Sequence, residues 1–302
     1  MAAVVAYSSP WVPPEWVAAH GLRPERVIPP RAEGFWSGIA GMCPFAAAFA
    51  CHAARTDRVG GVVFATSCDQ MRRAAELCSL RAGREVFLLN VPFTRGDSAR
   101  GLYADELRRL GEWLVRLGGR SPSEADLVEA MRRHMRERDR RSRRPVTPRA
   151  GRVSGGRRVR LALLGGPRLR EDLDLPERLA AIGADIVLDA TETGERCWPA
   201  RFSEDRSGED PFGALVDAYF DGLREPFARP NESLHAWLAE QIERRSVEGV
   251  LLCRFTWCDV WAAEAERLRQ SLPVPLLELD GGGPGGGASS AGRIRAFLEM
   301  LA

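Results

Sequence analysis

Short runs of β-branched and aliphatic residues recur along the chain with helical segments between them, and this alternation limits the possible folds most strongly. Hairpin turns between the runs are lacking, so helices should join consecutive strands and the strands should pair in parallel. The sequence therefore predicts an α/β fold with helices on the faces of parallel sheets. The seven predicted strands are Val4–Tyr7, Gly61–Ala65, Glu85–Val91, Val159–Leu164, Asp185–Asp189, Gly249–Cys253 and Pro275–Leu279.

A charged helical stretch, Leu102 to Arg141, separates the two groups of strands, and its apolar residues recur at helical spacing. It continues into an Arg/Pro/Gly/Ser-rich segment that ends near Gly156 and has the composition of a linker. At 302 residues the chain exceeds the usual size of one hydrophobic core. We expect two Rossmann-like parallel-sheet lobes with a helical connecting element: an N-terminal lobe (1–100), a helical segment and linker (101–156) and a C-terminal lobe (157–302).

Composition excludes several classes of protein. All 43 basic residues are arginine, which excludes a P-loop lysine, a Schiff-base lysine and a lysine general base. The net charge of +2 is too small to indicate nucleic acid on its own. The seven cysteines are an odd number and follow no secretory leader, so we expect a cytoplasmic protein with reduced thiols. The longest apolar stretch, Phe35 to Ala54, is too weakly apolar to predict a membrane span.

Three cysteines stand at strand ends or loops, where a thiol faces a pocket rather than the core. Cys68 follows the buried run that ends at Ala65, and Cys43 and Cys258 occupy comparable positions. Thiolates hold iron–sulfur clusters, and ligands this far apart in sequence would meet at an interface between lobes. Three protein ligands would leave one iron open to water or substrate, as in the open position of catalytic zinc. The pattern predicts an iron–sulfur site; a buried structural thiol is the alternative for each cysteine alone.

Two further features have competing interpretations. Glu264, six residues after Cys258, either acts as an acid or base at the pocket or is a solvated helix glutamate. The arginine run at residues 140–144 either holds an anionic group such as a phosphate or forms a solvated linker face. Cys197 follows a predicted strand and receives no role.

Segments over nearly the whole chain together resemble one family. They are Pro14–Pro24, Thr66–Asp69 with Met71–Arg73, Asn90–Pro92, Gly249–Phe255 with Cys258, Asp259 and Glu264, Pro275–Asp280, and Gly292–Leu301. In this combination the chain resembles the 2-hydroxyacyl-CoA dehydratase D-component family, which includes the benzoyl-CoA reductase cluster-binding subunits. The resemblance implies two Rossmann-like lobes and a 4Fe-4S cluster on Cys43, Cys68 and Cys258, at the lobe interface.

The resemblance also implies an activity and partners. Members pair with a homologous subunit, as a homodimer or heterodimer, and receive a low-potential electron from a separate ATP-dependent activator protein. The electron acts on an acyl-CoA thioester, and either water is eliminated or an aromatic ring is reduced. The cluster performs the difficult chemistry while the protein positions the substrate. The resemblance therefore implies an enzyme, a dehydratase-like lyase or reductase, or one subunit of it, with no nucleic-acid or membrane partner.

Two alternatives remain within this resemblance. Some relatives carry a double cubane cluster of eight irons on six cysteines and reduce small molecules; here Cys51, Cys78 and Cys253 would be the additional ligands. A shortened segment around Arg140 to Arg158, and small residues in the C-terminal signature after the glycine-rich Gly281 to Gly287, motivate instead a non-catalytic cluster or scaffold subunit. A zinc-stabilised protein without redox function is a third alternative.

Overall fold

The computed structural model describes residues 2–32, 41–142, 157–280 and 286–302, which form two four-stranded parallel sheets. The first sheet contains β1 (Val4–Tyr7), β2 (Arg23–Arg26), β3 (Val59–Ala65) and β4 (Val86–Leu89), in the order β2-β1-β3-β4. The second contains β5 (Val159–Gly165), β6 (Ala184–Thr191), β7 (Gly249–Arg254) and β8 (Leu276–Asp280), in the order β6-β5-β7-β8. The predicted α/β fold is confirmed, and the two sheets repeat one strand order.

All seven predicted strands are present, and β2 is an eighth that the sequence analysis missed. Its residues, Arg-Pro-Glu-Arg, contain no apolar run, and none of them is buried. The strand pairs only with β1, from Val4 opposite Arg23 to Tyr7 opposite Arg26. An edge strand needs no apolar alternation, because its main-chain hydrogen bonds to one neighbour hold it in place.

Eleven α-helices occur in the described residues. They are α1 (Pro14–Ala19), α2 (Pro44–Arg55), α3 (Asp69–Ala82), α4 (Asp97–Arg116), α5 (Glu124–Ser142), α6 (Leu175–Ala181), α7 (Glu204–Glu209), α8 (Pro211–Phe220), α9 (Glu232–Arg244), α10 (Asp259–Ser271) and α11 (Gly286–Leu301). The charged helical stretch is thus two helices, α4 and α5. Gly118, with φ of +101°, lies just beyond the end of α4 and reverses the chain.

The helix α8 belongs to the C-terminal half of the sequence but packs in the core of the first sheet. Leu215, Val216 and Phe220 share one buried apolar cluster with residues of β1, β3, α4 and α5. The Tyr219 hydroxyl donates a hydrogen bond to the buried Glu15 carboxylate at 2.7 Å. Residues 211–220 therefore stabilise the N-terminal core although they follow β6 in the sequence.

Two predicted features fall outside the described residues. The linker after α5 corresponds to residues 143–156, and most of the glycine-rich segment corresponds to residues 281–285. Within the described ranges, no helix combines the length and apolar character that crossing a bilayer requires.

Candidate functional site

A small cavity lies where the carboxyl ends of strands from both sheets meet. Its volume is about 80 Å³. Ser8 follows β1, Gly166 follows β5 and Glu192 follows β6, and all three line it. Ligand sites in parallel α/β sheets form at the carboxyl ends of the strands, because the loops there are free to vary. This position makes the cavity the first candidate for a functional site.

The structure brings Cys43, Cys68 and Cys258 together in the lining of this cavity. Each cysteine is the residue directly before a helix, namely α2, α3 and α10. Main-chain N–H groups of the first helical turns lie close enough to favour the thiolates, although no thiol makes a full capping hydrogen bond. Three positive helix ends therefore surround the cavity and favour a negatively charged occupant.

Local contacts fix the loops that carry the cysteines. The Cys43 main-chain N–H donates to the Gln70 side-chain oxygen at 3.0 Å, which ties the start of α2 to the first turn of α3. The Phe45 ring packs against Phe255, with ring centroids 6.4 Å apart, and so joins the first turn of α2 to the loop after β7. Loops from both halves of the chain are thereby held in one arrangement.

Burial keeps the cysteine thiols protonated in the absence of a bound cation. It raises the pKa of Cys43 to about 11 and that of Cys258 to about 12, and it raises the pKa of Cys68 as well. The mutual repulsion of the three thiolates works in the same direction on Cys43 and Cys258. A bound metal centre would displace these protons, since thiolates are the ligand form of cysteine.

A single metal ion and a multi-iron cluster place different geometric demands on the three cysteines. Among the described residues, no three Cys, His, Asp or Glu side chains lie close enough together to hold one metal ion. A single zinc ion needs all its sulfur ligands about 2.3 Å from one point. In a multi-iron cluster each thiolate binds its own iron, so the sulfurs need not converge in this way. The chemistry of three thiols, one buried and two half-buried, among main-chain N–H groups fits a cluster better than a single ion.

The additional cysteines do not line the cavity. Cys51 and Cys78 are buried in α2 and α3, where they lie near each other, and Cys253 in β7 lines a different cavity. Cys197 lines yet another, together with several arginines. This arrangement gives the double-cubane alternative no shared site among the described residues.

Glu264 is neither solvated nor among the residues that line the cysteine cavity. Its carboxylate accepts from Arg229 at 2.6 Å and from His235 at 2.9 Å. Burial works to raise its pKa, but hydrogen bonds from His235, Arg229 and Asn231 outweigh burial and lower the pKa. The solvated alternative is wrong, and the ion pairs give Glu264 a part in joining α9, α10 and the loop before α9.

Sequence reasoning missed the charged groups around the cavity. Arg196 is fully buried and pairs with the buried Glu225 carboxylate. The Arg196 guanidinium also lies over the Trp261 ring, 5.1 Å from its centroid, and Trp261 and Glu225 both line the cavity. No local pattern in the sequence distinguishes this arginine from the other arginines, because its burial depends on which elements pack around it.

Glu192 is the missed residue with the clearest chemical capacity. Burial, and then repulsion by Glu225, raise its pKa to about 7. A carboxyl group that titrates near neutrality can both hold and release a proton beside a ligand. The sequence did carry one signal, since Glu192 directly follows a buried strand at the edge where ligand sites form.

The solved structures that match the chain include three streptococcal proteins. The laminin-binding protein Lbp of Streptococcus pyogenes matches at 12% identity and a TM-score of 0.24, over 99% of this chain and 96% of that chain. A Zn(II)-bound mutant variant of AdcAII of Streptococcus pneumoniae matches at 10% identity and a TM-score of 0.24, over 99% of this chain and 97% of that chain. A mutant of the laminin-binding adhesin Lmb of Streptococcus agalactiae matches at 11% identity and a TM-score of 0.25, over 100% of this chain and 98% of that chain. TM-scores this low support no conclusion.

No curated protein matches the chain in a sequence comparison. A family model does match it, over residues 12–148 and 143–301. The matched ranges include Cys43, Cys68 and Cys258 and every strand except β1. The chain therefore belongs to the family of the 2-hydroxyglutaryl-CoA dehydratase D-component.

Proposed function

We propose that this chain is the iron–sulfur subunit of a 2-hydroxyacyl-CoA dehydratase or a benzoyl-CoA reductase-like enzyme. The observation that carries the proposal is that Cys43, Cys68 and Cys258, more than 200 positions apart at the extremes, line one cavity. Membership of the dehydratase-component family supports it independently. Cys43, Cys68 and Cys258 would hold a 4Fe-4S cluster, which when bound would supply a low-potential electron to an acyl-CoA thioester.

The protein's own residues would hold and shield the reacting group. The first turns of α2, α3 and α10 direct main-chain N–H groups toward the sulfurs, which favours a negatively charged centre. Phe45, Phe255 and Trp261 line the cavity and limit the entry of water. Glu192 can hold a proton at its carboxyl oxygen on the cavity wall.

The size of the cavity limits what can enter it. At about 80 Å³ it is far below the roughly 300–1,000 Å³ typical of pockets that enclose a whole ligand. Only the reacting end of an acyl thioester would reach the cysteines, so the rest of the substrate would lie in a neighbouring space. A homologous partner subunit and an ATP-dependent activator complete the proposed assembly.

Iron and acid-labile sulfide per chain, after anaerobic purification and reconstitution, test the proposal. We expect about four of each per wild-type chain. Cys43→Ser, Cys68→Ser and Cys258→Ser should each lose most of the iron and the visible absorption that dithionite bleaches. Cys197→Ser is the matched control, because this half-buried cysteine lies outside the cysteine cavity.

Other iron contents would change the assignment. About eight irons would favour the double cubane cluster and make Cys51, Cys78 and Cys253 candidate ligands. Full iron in one of the three serine variants would remove that cysteine from the ligand set. No iron in the folded wild-type chain, with or without zinc, would leave a scaffold subunit and contradict the proposed redox role.

A further inference from the structure

A larger cavity, of about 430 Å³, lies beside the cysteine cavity between β2, α5 and the loop after β6. Four arginines line it, Arg26, Arg138, Arg141 and Arg168, together with two carboxylates, Asp189 and Glu195. A cavity of this size can enclose much of a small ligand. The excess of guanidinium groups indicates that such a ligand would be an anion.

Both carboxylates in the lining are already paired with arginine. Asp189 accepts from Arg168 at 2.6 Å, and Glu195 accepts from Arg245 at 2.6 Å. One nitrogen of Arg168, Nη1, is buried without a hydrogen-bond partner within the described part of the chain. A buried guanidinium nitrogen left in this state costs free energy unless a ligand or water accepts from it.

Arg26 and Arg138 lack a carboxylate partner within the described ranges. Arg26 donates to the main-chain oxygens of Ser8 at 3.0 Å and Glu192 at 2.8 Å. Arg138 donates to the main-chain oxygen of Pro199 at 2.5 Å, and its guanidinium lies 5.3 Å from the centroid of the Trp198 ring. Carbonyl oxygens and an aromatic ring orient these two cations, and Glu192 attracts Arg26 and Glu15 attracts Arg138 without a direct ion pair.

Among the described residues, the adjoining space supplies no direct ion pair to Arg26 or Arg138. A further cavity of about 390 Å³ shares Arg26, Arg138 and Arg141 but is also lined by Glu15, Glu25 and Glu137. Of the shared arginines, only Arg141 pairs with one of these carboxylates, Glu137, at 2.9 Å. The two lining arginines without a direct ion pair in the described ranges, Arg26 and Arg138, therefore both face the larger cavity.

We propose that this larger cavity binds the phosphoryl group of a small phosphorylated ligand, with Arg26 and Arg138 as its principal donors. Guanidinium groups bind phosphate through paired, charge-assisted hydrogen bonds, and the planar donor geometry favours phosphate over a single halide ion. The phosphate can belong to a CoA thioester or to a free nucleotide. The first identification rests on the proposed function, whereas binding of a phosphate does not.

Arg26 connects this cavity with the cysteine cavity. The two residues whose carbonyl oxygens accept from Arg26, Ser8 and Glu192, also line the cysteine cavity. Arg26 therefore links the linings of the two cavities.

Isothermal titration calorimetry of the full chain, purified anaerobically, tests the inference with CoA, dephospho-CoA, ATP and inorganic phosphate as probes. We expect Arg138→Gln and Arg26→Gln each to weaken binding of the tightest probe by about tenfold or more. Arg133→Gln is the matched control, because it removes the same charge from an exposed position of α5 outside both arginine-lined cavities. Far-UV circular dichroism establishes whether each variant is folded. If Arg26→Gln does not fold, Arg138→Gln alone tests the inference.

The outcomes separate the possible ligands from the failure of the idea. If CoA binds most tightly, the ligand is a CoA thioester, and the affinity of dephospho-CoA, which lacks the 3′-phosphate, shows which phosphate is held. If ATP binds most tightly, the ligand is a nucleotide. An absence of binding at millimolar concentration of all four probes would overturn the inference. So would equal weakening by Arg133→Gln, or unchanged binding in folded Arg138→Gln. Iron content is measured separately, so these results do not depend on whether the proposed redox function is correct.

Discussion

Replacing the buried Arg196 with methionine is the most demanding test of how the cavity wall is held together. The Arg196 side chain is fully buried and pairs with Glu225, which is 7% exposed. It also donates to three main-chain oxygens, those of Gly165 at 2.9 Å, Arg224 at 3.0 Å and Ala190 at 3.1 Å. In Arg196→Met, the buried Glu225 carboxylate would lose its ion-pair partner and three carbonyl groups would each lose one hydrogen bond, although Gly165 keeps a second donor, the Glu192 main-chain N–H at 3.2 Å.

The expected loss of stability is large. Removing one partner of a buried ion pair costs about 3–5 kcal/mol, because the remaining charge stays buried without compensation. The lost hydrogen bonds to carbonyl groups add to this cost, so we expect the free energy of unfolding to fall by at least about 3 kcal/mol. That is a considerable part of the roughly 5–15 kcal/mol that stabilises a typical domain.

The same reasoning predicts how the loss depends on pH. Burial already raises the pKa of Glu225 above its ordinary value of 4.5, and Arg196 works against that rise. Without Arg196 the pKa should rise further. Between 4.5 and the raised pKa the folded chain holds a proton that the unfolded chain has released, so stability is lost as pH increases through this window. The deficit of Arg196→Met should therefore be smaller at pH 5 than at pH 8.

Chemical denaturation followed by circular dichroism, at both pH values, measures these differences. Adding Glu225→Gln to Arg196→Met should recover at least about 1 kcal/mol, because the uncompensated charge is then gone. Arg201→Met is the control, since its ion pair with Asp139 is exposed and should contribute about 0–1 kcal/mol. A loss below 1 kcal/mol in Arg196→Met, or no recovery in the double variant, would refute the account.

Two further substitutions test contacts around the site. Glu264→Gln should lower the free energy of unfolding by about 1–3 kcal/mol at neutral pH, because Arg229 and His235 lose a charged acceptor. Since the pKa of Glu264 is held below 4.5, this difference should persist down to that pH and shrink only in more acidic solution; a difference already lost at pH 6 would contradict the assignment. Gly165→Ala should cost at least about 2 kcal/mol in the same denaturation assay, because φ is +140° and the added Cβ would lie 1.9 Å from the Cys253 carbonyl oxygen. Gly83→Ala, with φ of +59° and no atom within 4 Å of the added Cβ, isolates the backbone cost and should lose only about 1 kcal/mol; equal losses would show that the contact with Cys253 is unimportant.

Much of the fold could be predicted because its signals are local. Strands such as Val159–Gly165 and Gly249–Arg254 are buried on both faces and therefore appear as continuous apolar runs. The strand β2 could not be predicted in this way, because this edge strand has no apolar run and pairs with β1 through its main chain. The place of the helix α8 in the N-terminal core could not be predicted, since that contact joins residues distant in sequence.

The candidate site divides in the same way. Cys43, Cys68 and Cys258 were identifiable because each lies at a junction before a helix, and that junction is a local property of the sequence. The pairing of Glu264 with Arg229 and His235 was not identifiable, because it depends on the packing of α9 against α10. The linker and the glycine-rich segment, at residues 143–156 and 281–285, remain predictions from composition.

The sequence by itself determined the α/β class, the alternation of strands with helices and the three cysteines that precede helices, because short-range spacing and hydrophobic periodicity encode these features. Only the tertiary structure decided which charges are buried beside them. Arg196, Glu225 and Glu192 carry no distinguishing local pattern, and neither do the arginines of the larger cavity. The protonation, pairing and exposure of these residues depend on how the loops at the carboxyl ends of the two sheets pack together. Burial there makes electrostatic interactions strong.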